Sequence, residues 1–400
     1  MYKYFLRFFV TGYIWVLKIV SRSERKKSIA DGNESVLLAT ATFYSENWLT
    51  THLLPISRSK GLNKVVMVAS DKVPYIEKVE AVYPPRFLTL FFGNVASRLL
   101  YFSWVAIKTK PEFICGFHLL LNGMVSVLIA KITGAKSIYI CGGGPREVLG
   151  GGYSTENRIF GRLREPDYVL ERKLISVLDY FDLIVVMGTS AKDYFVKNSV
   201  KTRISSLTGG FDKNDYFPIG YNDKKEFDLI FVGRLSEIKR VDRLIHAIQI
   251  VQARLPTISL VIVGDGPDKM QLEGISRNYG LEENICFAGW KKDIGVWLRK
   301  SRIFILTSDS EGVSQAMIQA LMCGLPCIVS DVGDLKDVIV TGYNGYLINE
   351  KTPEEFAESI VETLDNYKNG DKLMTNAIDS ANKYSVDEVS KSWQKELNSI

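Results

Sequence analysis

Apolar, β-rich runs alternate along this chain with stretches whose apolar positions recur every three to four residues. In the first half the strand-like runs fall at 36–42, 64–69, 87–92, 113–117, 137–140, 182–187 and 203–207. Helical patterns stand between some of them, at 95–108, 123–133 and 172–180. A polar, turn-rich stretch from 209 to 226 includes Asp212, Asn214, Asp215, Pro218, Gly220 and Asn222, and reads as an interdomain linker. The rhythm then restarts, with strands at 228–232, 259–263, 284–287, 302–307, 326–330 and 345–348. Helices are predicted at 241–255, 269–279, 294–300, 314–323, 353–367 and 386–397. Strands that are apolar throughout predict a parallel sheet covered on both faces by helices. The fold class is therefore α/β, with two tandem doubly wound, Rossmann-like domains. Such pairs place their ligand beyond the carboxyl ends of the strands, in the cleft between the domains.

The first twenty residues follow another pattern. On a helix, Lys3, Arg7 and Lys18 fall within an arc of about 60°, which Thr11 extends. Phe5, Phe8, Phe9, Tyr13, Trp15 and Leu17 spread over the rest. Lys18 interrupts the apolar run, and 21–27 (SRSERKK) offers no small-residue cleavage site, so this is not read as a signal peptide. The uncharged stretch 8–17 is about half of the roughly twenty residues that a membrane span needs. A narrow cationic stripe on a broad apolar helix predicts one lying in a membrane interface. Arg22, Arg25, Lys26 and Lys27 would add attraction to anionic head groups. The competing reading is a helix packed on the protein's own core, its lysines reaching outward.

Composition narrows the classes. With 400 residues, 46% hydrophobic and 11% aromatic, the chain is not disordered and is long enough for two cores. Five cysteines, an odd number, read as reduced thiols in a cytosolic setting. None of the three histidines clusters with cysteine in sequence, so no zinc site is expected. The net charge of +5 hides a division. Residues 1–210 hold 28 basic and 16 acidic groups, and residues 211–400 hold 22 and 29. The first 27 residues alone carry seven basic groups and one acid. A basic excess beside an apolar helix points to an anionic membrane surface as partner, rather than to nucleic acid.

The second half carries the chemistry. A strand runs into Gly233-Arg234-Leu235, with Lys239 and Arg240 just ahead of a helix. Glycine lets backbone approach a ligand, and an arginine fork with a lysine point charge suits a diphosphate. Val263-Gly264-Asp265-Gly266-Pro267 is a second strand exit; it fits a nucleotide-lining turn or a plain tight βα turn. A third strand empties into 307–314 (TSDSEGVS), and a helix begins near Ser314 and stops at Gly324. Free N–H groups at a helix start attract an anion. Glu311 in that mouth is better placed to accept hydrogen bonds from sugar hydroxyls than to meet phosphate. Cys323 and Cys327 have apolar neighbours and read as small core side chains.

Together these segments resemble the retaining glycosyltransferases of family 4, which have the GT-B fold. Residues 231–235 with Lys239 resemble that family's glycine-arginine-leucine…lysine motif. Residues 263–267 resemble its valine-glycine-acid-glycine-proline turn, 287–290 (FAGW) its base-contacting element, and 308–331 its signature helix region. Gly333 and 344–347 continue the match. The resemblance implies that Arg234 and Lys239 hold the donor diphosphate in place of a metal, and that Glu311 binds the donor sugar. It places the backbone of Gly312, Val313 and Ser314 at the phosphates, with Gly233, Gly264, Gly266 and Trp290 lining the nucleotide site. The family's second glutamate, which holds the ribose, is replaced here by Gln319. His118, at the end of strand 113–117, resembles the family histidine near the reacting carbon. The first half departs elsewhere. Residues 42–48 (TFYSENW) lack the usual glycine-rich loop, and 141–144 (CGGG) stand where a second histidine is usual. The glycine-dense run 142–153, with Arg146 and Glu147, reads either as a mobile acceptor or lid loop or as plain surface.

The division expected is an interface segment 1–27, an acceptor domain 28–210, a linker 211–226, a nucleotide-sugar domain 227–384, and a terminal helix 385–400 crossing back to the first domain. The implied activity is retaining transfer of a sugar from a nucleotide-sugar donor. The acceptor is a hydroxyl of a lipid-linked saccharide, in surface-polysaccharide assembly. The expected place is the cytoplasm, peripherally on the inner face of the cell membrane, and no metal or other cofactor is implied. Two other readings remain open: an inactive sugar-nucleotide-binding or scaffold protein, and a GT-B-fold sugar-nucleotide epimerase.

Overall fold

The computed structural model describes residues 1–22, 35–42, 45–153, 155, 157–220, 223–368 and 370–400, Lys368 by its backbone alone. Arg25, Lys26 and Lys27, the turn at 31–33, Phe43, Tyr44 and Asn222 lie outside the described residues. Two compact units form: Met1–Gly210 with Val386–Ile400, and Phe211–Ser385.

The first unit holds seven strands: β1 (Val36–Thr40), β2 (Lys64–Val68), β3 (Val79–Val82), β4 (Phe113–Phe117), β5 (Lys136–Cys141), β6 (Leu183–Val186) and β7 (Ile204–Ser206). They pair in parallel in the order β3-β2-β1-β4-β5-β6-β7. One face packs Leu37, Met67, Cys115 and Ile140 against the helix Glu46–Ser57 and the terminal helix Val386–Leu397, which inserts Val389, Trp393 and Leu397. On the opposite face Phe102 and Val105 cover Leu38, Val66 and Ile114, while Leu170 and Leu174 cover Tyr139 and Ile184. The strand order reverses between β1 and β4, so ligands are expected at their carboxyl ends.

The second unit holds β8 (Phe227–Val232), β9 (Leu260–Val263), β10 (Ile285–Gly289), β11 (Ser301–Leu306), β12 (Cys327–Ser330) and β13 (Gly345–Ile348). Their order is β10-β9-β8-β11-β12-β13, again wholly parallel. Here the reversal lies between β8 and β11. Cys323 and Cys327 are buried within this core.

Two expectations are corrected. Residues 87–92 are not a strand. They open the helix Arg86–Thr109, which is broken at Gly93 (φ 73°, ψ 169°). Pro84 and Pro85 precede it, a natural helix entry, and the aromatic run there suited either period. The strand in this region is β3 instead, a short edge strand interrupted by the exposed Glu80. The run 142–153 is partly packed rather than plain surface. It forms short 3₁₀ turns with Glu147, Val148, Gly150 and Gly151 buried.

The helix Tyr2–Arg22 divides its broad apolar surface in two. Leu6, Val10 and Leu17 are fully buried against the helices Met124–Thr133 and Tyr168–Leu178. Each such side chain contributes about 2 kcal/mol. Arg7 forms a bidentate pair with Asp167 (2.9 Å for Nε–Oδ2 and for Nη2–Oδ1), and Tyr13 donates to the carbonyl of Met124 at 2.7 Å. The face bearing Tyr4, Phe5, Phe8, Phe9, Trp15 and Ile19 is exposed. By length and composition this helix is long and apolar enough to cross a membrane, whereas Arg86–Thr109 reaches such a length only when counted across its break at Gly93.

Candidate active site

In the second unit the loops after β8 and β11, the two sides of the strand-order reversal, are tied together. Thr307 Oγ1 donates to the carbonyls of Lys239 (3.1 Å) and Arg240 (2.9 Å), and the Asp309 N–H donates to the Ile238 carbonyl at 2.9 Å. Arg243, buried, reaches the Thr307 carbonyl at 2.7 Å and Asp309 Oδ1 at 2.8 Å. Arg240, in the left-handed region at φ 48°, pairs with Asp242 (3.0 Å) and Asp309 (3.1 Å). Burial alone would raise the Asp309 carboxyl, but bonds from Arg243 and Arg240 outweigh it and hold it below its usual value. Arg240 is thus a brace, whereas its neighbour Lys239 faces the site.

Lys239 Nζ lies 2.6 Å from Glu311 Oε1, and Ser308 Oγ donates to the same oxygen at 2.5 Å. An ammonium has three protons and only one is used here. Arg234, on the same loop, is exposed and has no ion pair among the described residues. The loop after β9 is fitted against that loop. Gly233 N–H donates to the Val263 carbonyl and Leu235 N–H to that of Asp265. At Gly264 (φ 153°) a Cβ would collide with the Gly233 carbonyl, and Gly266 is equally tight against Leu235. Gly333 (φ 56°), after β12, is pressed in the same way on the carbonyl of Glu311.

Ser314 caps the helix Gln315–Met322, its Oγ accepting from Met317 N–H at 3.4 Å. The N–H groups of Gly312, Val313 and Ser314 donate to no partner among the described residues, and the space at Gly312 is open. Gln319, on that helix, is 3% exposed, and its Nε2 has no hydrogen-bond partner among the described residues. A buried amide donor left unpaired costs on the order of 1–3 kcal/mol until a ligand acceptor meets it. Trp290, just past β10, is exposed.

In the first unit His118 follows β4 with φ 64°, a strained position for a residue with a side chain. Its Nδ1 lies 2.9 Å from Glu147 Oε1. Glu147 is buried and also accepts from the N–H groups of Leu119 (2.7 Å) and Gly143 (2.6 Å) and from the Tyr139 hydroxyl (2.9 Å). Burial pushes its pKa up, but His118 and the two N–H groups more than offset this and leave it lowered. An ionised carboxylate only accepts, so His118 carries a proton on Nδ1 in this contact. Trp48 stacks on His118 (6.0 Å, 13°) and on His52 (4.4 Å, 30°). Arg98 braces the carboxyl end of β1, donating to the Ala41 carbonyl, to Thr42 Oγ1 and to Asn122 Oδ1; burial lowers its pKa to about 10.

Sequence reading gave Trp48, Ser308 and Arg98 no role in the site, and named Glu147 only as a member of the run 142–153. Glu147, Trp48 and Arg98 act through contacts distant in sequence, which no local spacing marks, whereas Ser308 stands three residues from the Glu311 that it meets. Arg234, Lys239, Glu311, Gly312, Val313, Ser314 and Gln319 all lie on the loops and helix around the β8–β11 reversal. His118 stands in the other unit.

Residues 212–382 match the family described as "Glycosyl transferases group 1". An uncharacterized glycosyltransferase of Methanocaldococcus jannaschii is 30% identical over 198 residues, which are 46% of this chain and 50% of that one. The UDP-Gal:alpha-D-GlcNAc-diphosphoundecaprenol alpha-1,3-galactosyltransferase of Escherichia coli is 30% identical over 176 residues, 41% of this chain and 46% of that one. The chain spans about half the length of the curated relatives it matches. The crystal structure of Anabaena HepE in complex with UDP superposes with a TM-score of 0.68 at 17% identity, covering 92% of this chain and 100% of that one. The fold is GT-B.

Proposed function

We propose that this protein is a retaining glycosyltransferase that moves a sugar from a nucleotide-sugar donor to a hydroxyl of a lipid-linked saccharide. The observation that carries the reading is the Lys239–Glu311 contact at the β8–β11 reversal, on a loop that also carries the exposed Arg234, which has no ion pair among the described residues. It sets cations for a diphosphate next to a carboxylate for sugar hydroxyls. Arg234, the remaining Lys239 protons and the free N–H groups of 312–314 would hold the diphosphate and stabilise the charge that builds on it. These fixed cations do the work of a metal, so none is expected. Gln319 Nε2 would donate to a ribose oxygen, and Gly233, Gly264, Gly266 and Trp290 would line the nucleotide.

In the reaction the bond from the anomeric carbon to the phosphate oxygen breaks. The acceptor oxygen bonds to that carbon from the same face, and its proton passes to the departing phosphate. No side-chain nucleophile is needed, so the protein contributes position and electrostatics. His118, its proton fixed on Nδ1 by Glu147, would address the donor sugar.

The E. coli relative's name specifies a diphosphoundecaprenol-linked acceptor. The exposed apolar faces of the helices Tyr2–Arg22 and Arg86–Thr109 support a comparable membrane-embedded acceptor, in surface-polysaccharide biosynthesis at the inner face of the membrane. On Arg86–Thr109, Leu100, Trp104 and Ile107 form an outward stripe, and Phe87, Leu90 and Phe91 stand exposed before the Gly93 break.

A thermal-shift screen of sugar nucleotides would identify the donor, since a ligand bound only by the folded state stabilises it by mass action. NMR of the product formed from that donor is expected to show the anomeric configuration retained. An inverted product overturns the mechanism; stabilisation without any sugar release makes the protein a binding module.

A further inference from the structure

A cavity of about 330 Å³ opens where the helix Tyr2–Arg22 meets the segment 162–167. Its wall carries four cations, Lys3, Arg7, Arg162 and Arg164, against Glu165 and Asp167. Arg7 and Asp167 are spent on each other, and Asp167 also caps the helix Tyr168–Leu178 by accepting from the N–H groups of Val169 and Leu170. That leaves Lys3, Arg162 and Arg164 facing Glu165 alone, and neither arginine has an ion pair among the described residues. Cations gathered around one cavity repel each other unless an anion joins them.

The cavity borders the apolar face of the same helix. Lys3 Nζ and Arg7 Cζ lie 5.7 and 5.5 Å from the ring centre of Tyr4, and Tyr4 is itself part of the exposed face continuing through Phe5 and Phe8. The Tyr2 hydroxyl, bonded to the Ile159 carbonyl at 2.7 Å, fixes the start of the helix on the unit. A helix lying in a bilayer interface buries its apolar face about 5–10 Å into the boundary between head groups and acyl chains. Cations along the edge of that face then stand at the level of the lipid phosphates.

We infer that this cavity is a binding site for the phosphate head group of an anionic phospholipid, seating the first unit on the bilayer. The inference extends the membrane part of the proposed function and rests on it. Arginine's planar fork matches two phosphate oxygens, so Arg162 and Arg164 are the specific ligands, with Lys3 as a point charge. The bond between Arg7 and Asp167 shapes the cavity and keeps the helix in place.

The test is flotation of the full chain with phosphatidylcholine vesicles, with and without phosphatidylglycerol. Arg162 and Arg164 are exposed, so replacing them disturbs no packing. The variant R162A/R164A is expected to lose about tenfold or more of its partition onto anionic vesicles. A charge-matched control on the same unit, K192A/K197A, should lose less than about twofold. Equal loss in both variants would mean diffuse attraction only and overturn the site; unchanged binding in R162A/R164A would do the same. Millimolar inorganic phosphate or glycerol 3-phosphate, without vesicles, should not raise the melting temperature. A rise abolished by R162A/R164A would mark a soluble-phosphate site instead. Flotation needs no sugar nucleotide, so a failure of the transferase reading and a failure of this one give different results.

Discussion

Gly333 shows how one residue governs the candidate site. A Cβ there would meet the carbonyl of Glu311, and its φ of 56° is already unfavourable for other residues. Gly333→Ala is expected to destabilise the second unit by about 1–3 kcal/mol and to displace Glu311. Denaturant unfolding should report the first effect, and a weaker sugar-nucleotide thermal shift the second. His52 gives a pH prediction. It is buried against Trp48, and burial lowers its pKa to about 4. The unfolded chain takes up this proton near pH 6.5 while the folded chain does not, so stability falls as pH drops from about 6.5 to about 4. The loss is on the order of 3 kcal/mol, and His52→Gln should flatten the melting-temperature profile over that window. Glu147 contributes with the same sign in a more acidic window. Its lowered pKa gives stability that is present above the ordinary carboxylate range and lost only as pH falls below it. At this scale the sequence was informative where glycine, cation and acid sit close together along the chain, as at 233–239 and 308–314. It was silent where contacts are long, as between His118 and Glu147.

At the scale of elements, the helix Tyr2–Arg22 separates two kinds of apolar residue that look alike in sequence. Leu6→Ala empties a fully buried position and should cost about 2–4 kcal/mol. Phe8→Ser, on the exposed face, should leave thermal stability nearly unchanged and weaken vesicle binding. The reverse pattern in the same two assays would show that the helix is seated the other way round. Periodicity predicted a broad apolar surface here, and only packing shows that part of it covers Met124–Thr133 and Tyr168–Leu178. The same limit explains residues 87–92. Six mostly apolar residues fit either period, and the Gly93 break hides their continuity with the helix that follows. The edge strand β3 was missed because Glu80 interrupts it. By contrast β4 and β13 were legible to the residue, because interior parallel strands and glycine-bounded ones leave continuous or punctuated apolar runs.

At the scale of the whole molecule, two parallel sheets with one order reversal each account for where the chemistry-bearing loops gather, because carboxyl ends diverge only at a reversal. Fold class was readable from the alternation of apolar runs and helical patterns. The charge division takes on meaning through structure: part of the basic excess of the first half lines one cavity beside an exposed apolar face, while the acidic half carries Arg234 and Lys239 on one loop at its reversal point. The most direct test of the central claim is release of nucleoside diphosphate from the identified sugar nucleotide by wild type, Arg234→Ala and Lys239→Ala. Loss of one fixed charge stabiliser is predicted to lower kcat by about 10²–10³ in each variant, with folding intact by thermal melting. Turnover within about twofold of wild type in both variants would contradict the assignment of these two cations to a departing diphosphate.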